Sequence, residues 1–400
     1  MTTDAVISGD DLPVDRSTVR KPDARLRAPG FMRRLIEFIV RMVVGALLCL
    51  HPLGSLLIAG WLLRWARHRA IWLWAGLSPL PAADQAKAVM DMVPGWRAGR
   101  PPSWLIDERP RSELGSGIAK WFRKLTGALR QNLAAGLGAT FNAWVLLLPG
   151  QILMLFSWWG GWENSFNKGY EQAWVGPTVA LIGIAWFVPM AAYFSFSIGR
   201  QSVAGWRSCY DWHLNWRLMT QRPWLTVVIA LIAVAAGAGY SALRFAPFFF
   251  PDSVAGFDEF TPEQLAEFAR QFAWAALIYL LLVGIVLKQL AARFYAASLM
   301  DGLARGVFSI EELRPEERRI LNTLSIKPEP IPAPTRWWWR MLVRFSGRVQ
   351  RIILGAGVLA AWFGVIAQVY IAQFGNHNWM IWVNHPWLQL VWIPIPGGGG

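Results

Sequence analysis

Charge is scarce in this 400-residue chain. Only 16% of its residues are Asp, Glu, Lys or Arg, where soluble globular proteins run near ~25%. Acidic side chains are the scarcer sign, 25 against 39 basic ones. Cysteine is nearly absent. Cys49 and Cys209 are the two it has, and neither sits in a CxxC pair, so no disulfide framework is expected. Residues 1–30 lack an apolar stretch, and no cleavable signal peptide is expected. No phosphate-binding P-loop, dinucleotide fingerprint, HExxH or GxSxG motif occurs. These absences point away from a secreted disulfide scaffold and from the common nucleotide-, zinc- and serine-dependent enzymes.

What the chain has is hydrophobicity. Apolar residues make up 54% and the mean hydropathy is +0.32, which excludes a disordered chain and argues against an ordinary soluble enzyme. The expected class is an all-α membrane protein. Five runs suit a ~30 Å hydrocarbon core: 133–158, 173–198, 224–243, 272–287 and 352–374. Residues 1–30 read as a disordered cytoplasmic tail, 81–132 as a connector with an amphipathic helix, and 133–300 as a bundle of four spans. A Pro-rich and basic amphipathic segment occupies 301–351, the last span 352–374, and a Trp-rich external tail 375–400.

Orientation follows from the basic residues. All 39 Lys and Arg except Lys168, Arg244 and Arg270 fall in segments that one consistent topology places inside. The tail is then cytoplasmic and the C-terminus external, as in a bacterial inner-membrane protein. A high Arg, Gly, Ala and Trp content suits a GC-rich bacterial genome. Net charge of +14 beside such runs speaks for anionic lipid rather than nucleic acid.

The run 42–63 has basic flanks on both sides and a central His51-Pro52-Leu53-Gly54 that disfavours a continuous helix. Within 31–80 we expect a re-entrant or interfacial helical hairpin; two short spans or one ordinary span are the alternatives. Further on, Thr261-Pro262-Glu263-Gln264 reads as a capped helix start that runs on into the span at Phe272.

Arg336, Arg340, Arg344, Arg348 and Arg351 recur at helical spacing and follow or flank Trp337, Trp338 and Trp339. They form one basic stripe with aromatics at its start, the pattern of an interfacial helix on anionic lipid or a partner. The spans as bounded hold no Asp, Glu, Lys, Arg or His, which disfavours ion-coupled transport. Cys209, Asp211 and His213 cluster in a cytoplasmic loop, and on a helix Cys209 and His213 would share a face. No second pair at ligand spacing accompanies them, so no metal or cofactor is expected. His377 and His385 in the external tail lack a spaced partner for haem.

The break His51-Pro52-Leu53-Gly54 with its Arg-rich exit, together with Gly205-Trp206-Arg207, Tyr210-Asp211, Trp216-Arg217-Leu218 and Arg222, resembles uncharacterised bacterial multi-pass inner-membrane protein families. The resemblance covers about a tenth of the chain and implies no activity. The expectation is a non-enzymatic scaffold, assembly factor or accessory subunit of a membrane complex, with lipid and membrane-protein partners. An uncoupled transporter or permease component is the alternative, and a lipid-acting enzyme using Asp211 and His213 comes third.

Overall fold

A computed structural model describes residues 31–93, 117–156, 174–223 and 259–327, with scattered positions between 225 and 243 and between 341 and 356. Among the described residues the chain is helical with no strand. The helices are α1 (Phe31–Leu48), α2 (Pro52–Ala75), α3 (Ala82–Met92), α4 (Gly117–Phe156), α5 (Val175–Ala204), α6 (Trp212–Met219), α7 (Pro262–Ala304) and α8 (Pro315–Thr323). Single 3-10 turns cover Trp206–Tyr210 and Ile310–Glu312.

Local chemistry sets the boundaries. The chain breaks at Cys49–His51, where the sequence disfavours a helix, and restarts at Pro52. His51 Nδ1 accepts from the Leu53 N–H at 3.2 Å, and Pro52 in the first turn has no N–H to leave unsatisfied. A Cβ on Gly54 would lie 1.9 Å from the Leu48 carbonyl oxygen, so the turn needs glycine. At the start of α7 both halves of the expected capping box form: Thr261 Oγ1 accepts from Gln264 N–H, and Gln264 Oε1 accepts from Thr261 N–H.

Three helices are long and apolar enough to cross a membrane: Phe122–Gly150, Thr178–Ala204 and Pro262–Ala304. They overlap the expected spans 133–158, 173–198 and 272–287. The run 352–374 lies outside the described residues except for its first turn, and the described positions between Pro223 and Leu243 are helical. The helices are longer than the expected spans. α4 does not break between connector and span; its 40 residues cover ~60 Å, and the 43 of α7 ~65 Å, against a ~30 Å hydrocarbon core.

The surplus builds a second tier. Large apolar side chains stand exposed along Leu137, Phe141 and Ile152 of α4, Ile182 and Trp186 of α5, and Ile278 and Leu282 of α7. Past Ala191 on α5 and Leu287 on α7, nearly every residue is enclosed by protein. This enclosed collar holds buried polar groups, among them Arg64, Asn132, Arg200, Asn215, Lys288 and Glu317. Helix α2 runs through the centre, apolar around most of its circumference, and packs on α4, α5 and α7.

Backbones touch at the crossings. A Cβ on Gly60 would lie 1.7 Å from the Asn132 carbonyl oxygen, and one on Gly136 1.9 Å from that of Leu56. One on Gly199 would lie 2.3 Å from the Ala291 oxygen. Such small-residue contacts let helices gain dispersion where lipid removes the hydrophobic drive. Gly136→Val should therefore force α2 from α4 and cost ~1–3 kcal/mol or more, read as a lower thermal midpoint in detergent. Gly76→Ala, whose Cβ would sit in ordinary contact at 3.5 Å from the Leu73 oxygen, should leave it unchanged.

Candidate functional site

The densest polar chemistry in the described residues lies in the collar, where α5 and α7 end. Arg200 on α5 is fully buried. Its Nε and Nη2 donate to Glu317 Oε1 and Oε2 of α8 at 2.8 and 3.0 Å, and its Nη1 reaches Asn215 Oδ1 at 3.2 Å and Asp211 Oδ2 at 3.0 Å. Tyr295 of α7 donates its hydroxyl to Glu317 Oε1. Arg314 closes the far side, with Nε and Nη2 donating to Asp211 at 2.8 and 2.6 Å and its backbone N–H to Glu317 at 2.8 Å. Asn215 donates to Tyr193 Oη at 2.7 Å and to the Ser208 carbonyl at 2.9 Å. Tyr193 donates on to the Cys209 carbonyl.

Local signals place these groups. Pro315 opens α8, and Glu317 at its third position accepts from the Arg314 N–H. Gly205 has φ +82°, a left-handed value that lets the chain turn sharply out of α5. Two salt bridges on the rim, Arg217–Glu312 at 2.7 Å and Arg222–Asp301 at 2.7 Å, fasten the same segments.

Charge is balanced inside this set: two guanidinium groups face two carboxylates, each bidentate pair well formed. Burial alone would raise the Asp211 carboxyl, but the hydrogen bond from Arg314 and the charges of Arg200 and Arg314 outweigh it and hold it below the usual carboxylate range. Burial pushes the Cys209 thiol up to about 11, so it is no thiolate at neutral pH. Arginine does not give up its proton. The set lacks a poised base or nucleophile, and its geometry is that of a clamp tying α8 to α5 and α7.

Beside the clamp a cleft of about 570 Å³ is lined by Tyr210, Asp211, Trp212, His213, Glu312 and Arg314, among others. Cys209 and His213 do not share a helix face, which corrects the expectation from their spacing. Cys209 is buried in the 3-10 turn against Ser197, whereas His213 is exposed on α6. No group of His, Cys, Asp and Glu that could hold a metal occurs among the described residues. Lys288 is a second finding. It lies one residue past the expected span 272–287, is 1% exposed, and its Nζ has no hydrogen-bond partner among the described residues.

Of the basic stripe, Arg348 is helical and exposed. Arg336, Trp337, Trp338, Trp339, Arg340, Arg344 and Arg351 lie outside the described residues. So do the tail 1–30, the loop 159–172, most of the run 352–374, and the tail 375–400 with His377 and His385. Sequence reasoning singled out Asp211 but missed Arg200 and Glu317, which stand 117 residues apart. The local signal for Glu317 is its place at the third position after Pro315; Arg200 carries none.

No family model, curated protein or solved structure matches this chain.

Removing one partner of a buried ion pair strands the other. Glu317→Gln should cost roughly 3–5 kcal/mol, seen as a large drop in thermal midpoint in detergent. The double replacement Arg200→Met with Glu317→Leu should recover part of the loss. Asp211 gives the pH dependence. Its folded pKa is depressed, so its contribution is present above the unfolded value and is lost as pH falls through the folded one. The difference in midpoint between wild type and Asp211→Asn should be full at neutral pH and close as pH falls below the usual carboxylate range.

Proposed function

We propose that the chain is a multi-pass inner-membrane protein that acts as a scaffold, assembly factor or accessory subunit, and not as an enzyme. The observation that carries this reading is the clamp. The charged groups of the clamp, Arg200, Glu317, Asp211 and Arg314, are consumed in pairing with one another, so their role is to hold a shape. Five spans with a cytoplasmic N-terminus and an external C-terminus follow from the distribution of Lys and Arg. The collar then lies on the cytoplasmic side.

The α1–α2 pair is read as a re-entrant or interfacial hairpin. Two observations support this. α2 runs alongside α7 in the same direction: Ile58, Trp61 and Leu62 cluster with Ala276, Leu277 and Leu281, and Trp74 Nε1 donates to the Ala296 carbonyl further on. The break at Cys49–His51 thus lies at the far end from the collar, and α2 returns to it. Along α1, Ile36, Ile39, Val40, Val43 and Leu47 remain exposed, a face suited to lipid.

The contact surface of the scaffold is the basic stripe Arg336, Arg340, Arg344, Arg348 and Arg351 with Trp337, Trp338 and Trp339. Each arginine near an anionic leaflet contributes on the order of 1 kcal/mol. Replacing Arg340, Arg344 and Arg348 with Gln should leave topology intact. It should also lower the anionic lipid and protein partners that co-purify in mild detergent, measured by mass spectrometry. Unchanged lipid and partners would reduce the stripe to a topology signal and remove the scaffold reading's contact surface.

A further inference from the structure

The connector after α5 does not project away from the bundle; it folds back. α5 ends at Ala204, yet Tyr193, eleven residues earlier and ~16 Å back along the helix axis, carries the Trp212 ring stacked on it at 4.5 Å between centroids. Tyr193 also donates its hydroxyl to the Cys209 carbonyl. On the other flank, Asn142 Nδ2 of α4 donates to the Trp206 carbonyl at 2.7 Å. The Trp206 Cβ packs so closely on Gly138 that a Cβ there would sit 3.0 Å away.

Both landing points continue the exposed apolar stripes of the first tier. On α5 the positions Ile182, Trp186, Pro189 and Tyr193 succeed one another at spacings of four, three and four, one helix face. Ile182, Trp186 and Pro189 are exposed, whereas Tyr193 is 2% exposed because the connector covers it. On α4 the exposed Leu137 and Phe141 flank Gly138. The connector therefore takes over the outward surface where these stripes stop, and it does so with tryptophan. Trp206, Trp212 and Trp216 are 46%, 43% and 60% exposed, while Leu214, Asn215, Leu218 and Met219 of the same segment face inward. The Arg207 guanidinium lies 5.4 Å over the Trp206 ring.

We infer that Trp206, Arg207, Trp212 and Trp216 form a belt that seats in the lipid headgroup layer of the leaflet next to the collar. The occupant follows from continuity and chemistry. The belt adjoins a face that apolar side chains have already committed to hydrocarbon. Indole rings favour the depth at which one end is apolar and the other wet, and Arg207 supplies a cation at the height of the phosphates. Connectivity restrains the segment further, because described helical positions resume at Pro223, only a few residues after Met219. The clamp then gains a consequence: Asp211, between Tyr210 and Trp212, is held by Arg200 and Arg314, and this fixes the belt's height relative to the bundle. The inference rests on the reading that α4, α5 and α7 cross a membrane.

The test uses the full chain in nanodiscs of phosphatidylcholine and phosphatidylglycerol. Nitroxides are attached at Trp212→Cys and Trp216→Cys, with Leu282→Cys as a hydrocarbon reference and Glu316→Cys as an aqueous one. Cys49 and Cys209 are fully buried and out of reach of the label. Collision accessibility to oxygen relative to a water-soluble nickel chelate should place both tryptophan sites between the references, several-fold above Glu316. Trp216 makes no such stack among the described residues, so its label reports even where Trp212→Cys perturbs the fold. Values at both sites equal to that of Glu316 overturn the belt. So does an aqueous value in nanodiscs combined with protection from maleimide in native membrane vesicles, which would assign the face to a protein partner. An aqueous value at Leu282 itself overturns the membrane reading and the belt with it.

Discussion

A buried arginine must be answered, and in this protein the answer organises one end of the molecule. Arg200 is taken wholly out of water, which costs several kcal/mol in any protein interior. The cost is met only by good geometry and by saturating every remaining donor. Glu317 supplies the bidentate partner, Asp211 and Asn215 share the remaining nitrogen, Nη1, and Tyr295 and Arg314 complete the carboxylates. The partners come from three further stretches of chain, so the arrangement exists only when α5, the 205–219 segment, α7 and the start of α8 are docked together. Such a network contributes little net stability over an apolar core. What it provides is a unique register, because a displaced α8 would strand two charges.

The same constraint explains why the helices are so long. A helix that only crossed a bilayer could end after about 20 residues. α4 and α7 continue for roughly twice that, and the stretch of α7 past Leu287 supplies, through Tyr295, part of the wall around the ion pairs. In the first tier the contacts are of another kind. Glycines at 60, 136 and 199 bring backbones together, and the outward faces are left to apolar side chains. The polarity of the interior changes along each helix in step with the exposure of its surface, as expected where the solvent changes from lipid to water. Lys288 stands at the transition, buried and without a hydrogen-bond partner among the described residues.

Rigid on the inside and aromatic on the outside, the segment 205–219 joins these two tiers. Its inward side chains take part in the clamp or the core, and its outward ones include three tryptophans beside Arg207 and His213. The proposal thus gives the scaffold two membrane-contacting elements on one side, this belt and the basic stripe near Arg348. They differ in chemistry. The belt relies on indoles held at fixed depth, and the stripe on a row of charges whose attraction is screened within a Debye length.

Much of the architecture was legible from residues alone, for a local reason. The helical fold with three helices long and apolar enough to cross a membrane follows from scarce charge and long apolar runs. The break at His51-Pro52 follows from the missing proline N–H, and the start of α7 from reciprocal hydrogen bonds between Thr261 and Gln264, three residues apart. All of these depend on neighbours along the chain, which the sequence states outright. Helix extents were less legible, because the apolar runs mark where lipid would be, whereas α4 begins well before its run and α7 continues past its own into the collar. The clamp was not legible at all. Arg200 and Glu317 lie 117 residues apart, and either would pass for an ordinary surface charge. Only the docking of α8 against α5 and α7 withdrew water from both, and that withdrawal is what turns two unremarkable charges into a pair that must be made.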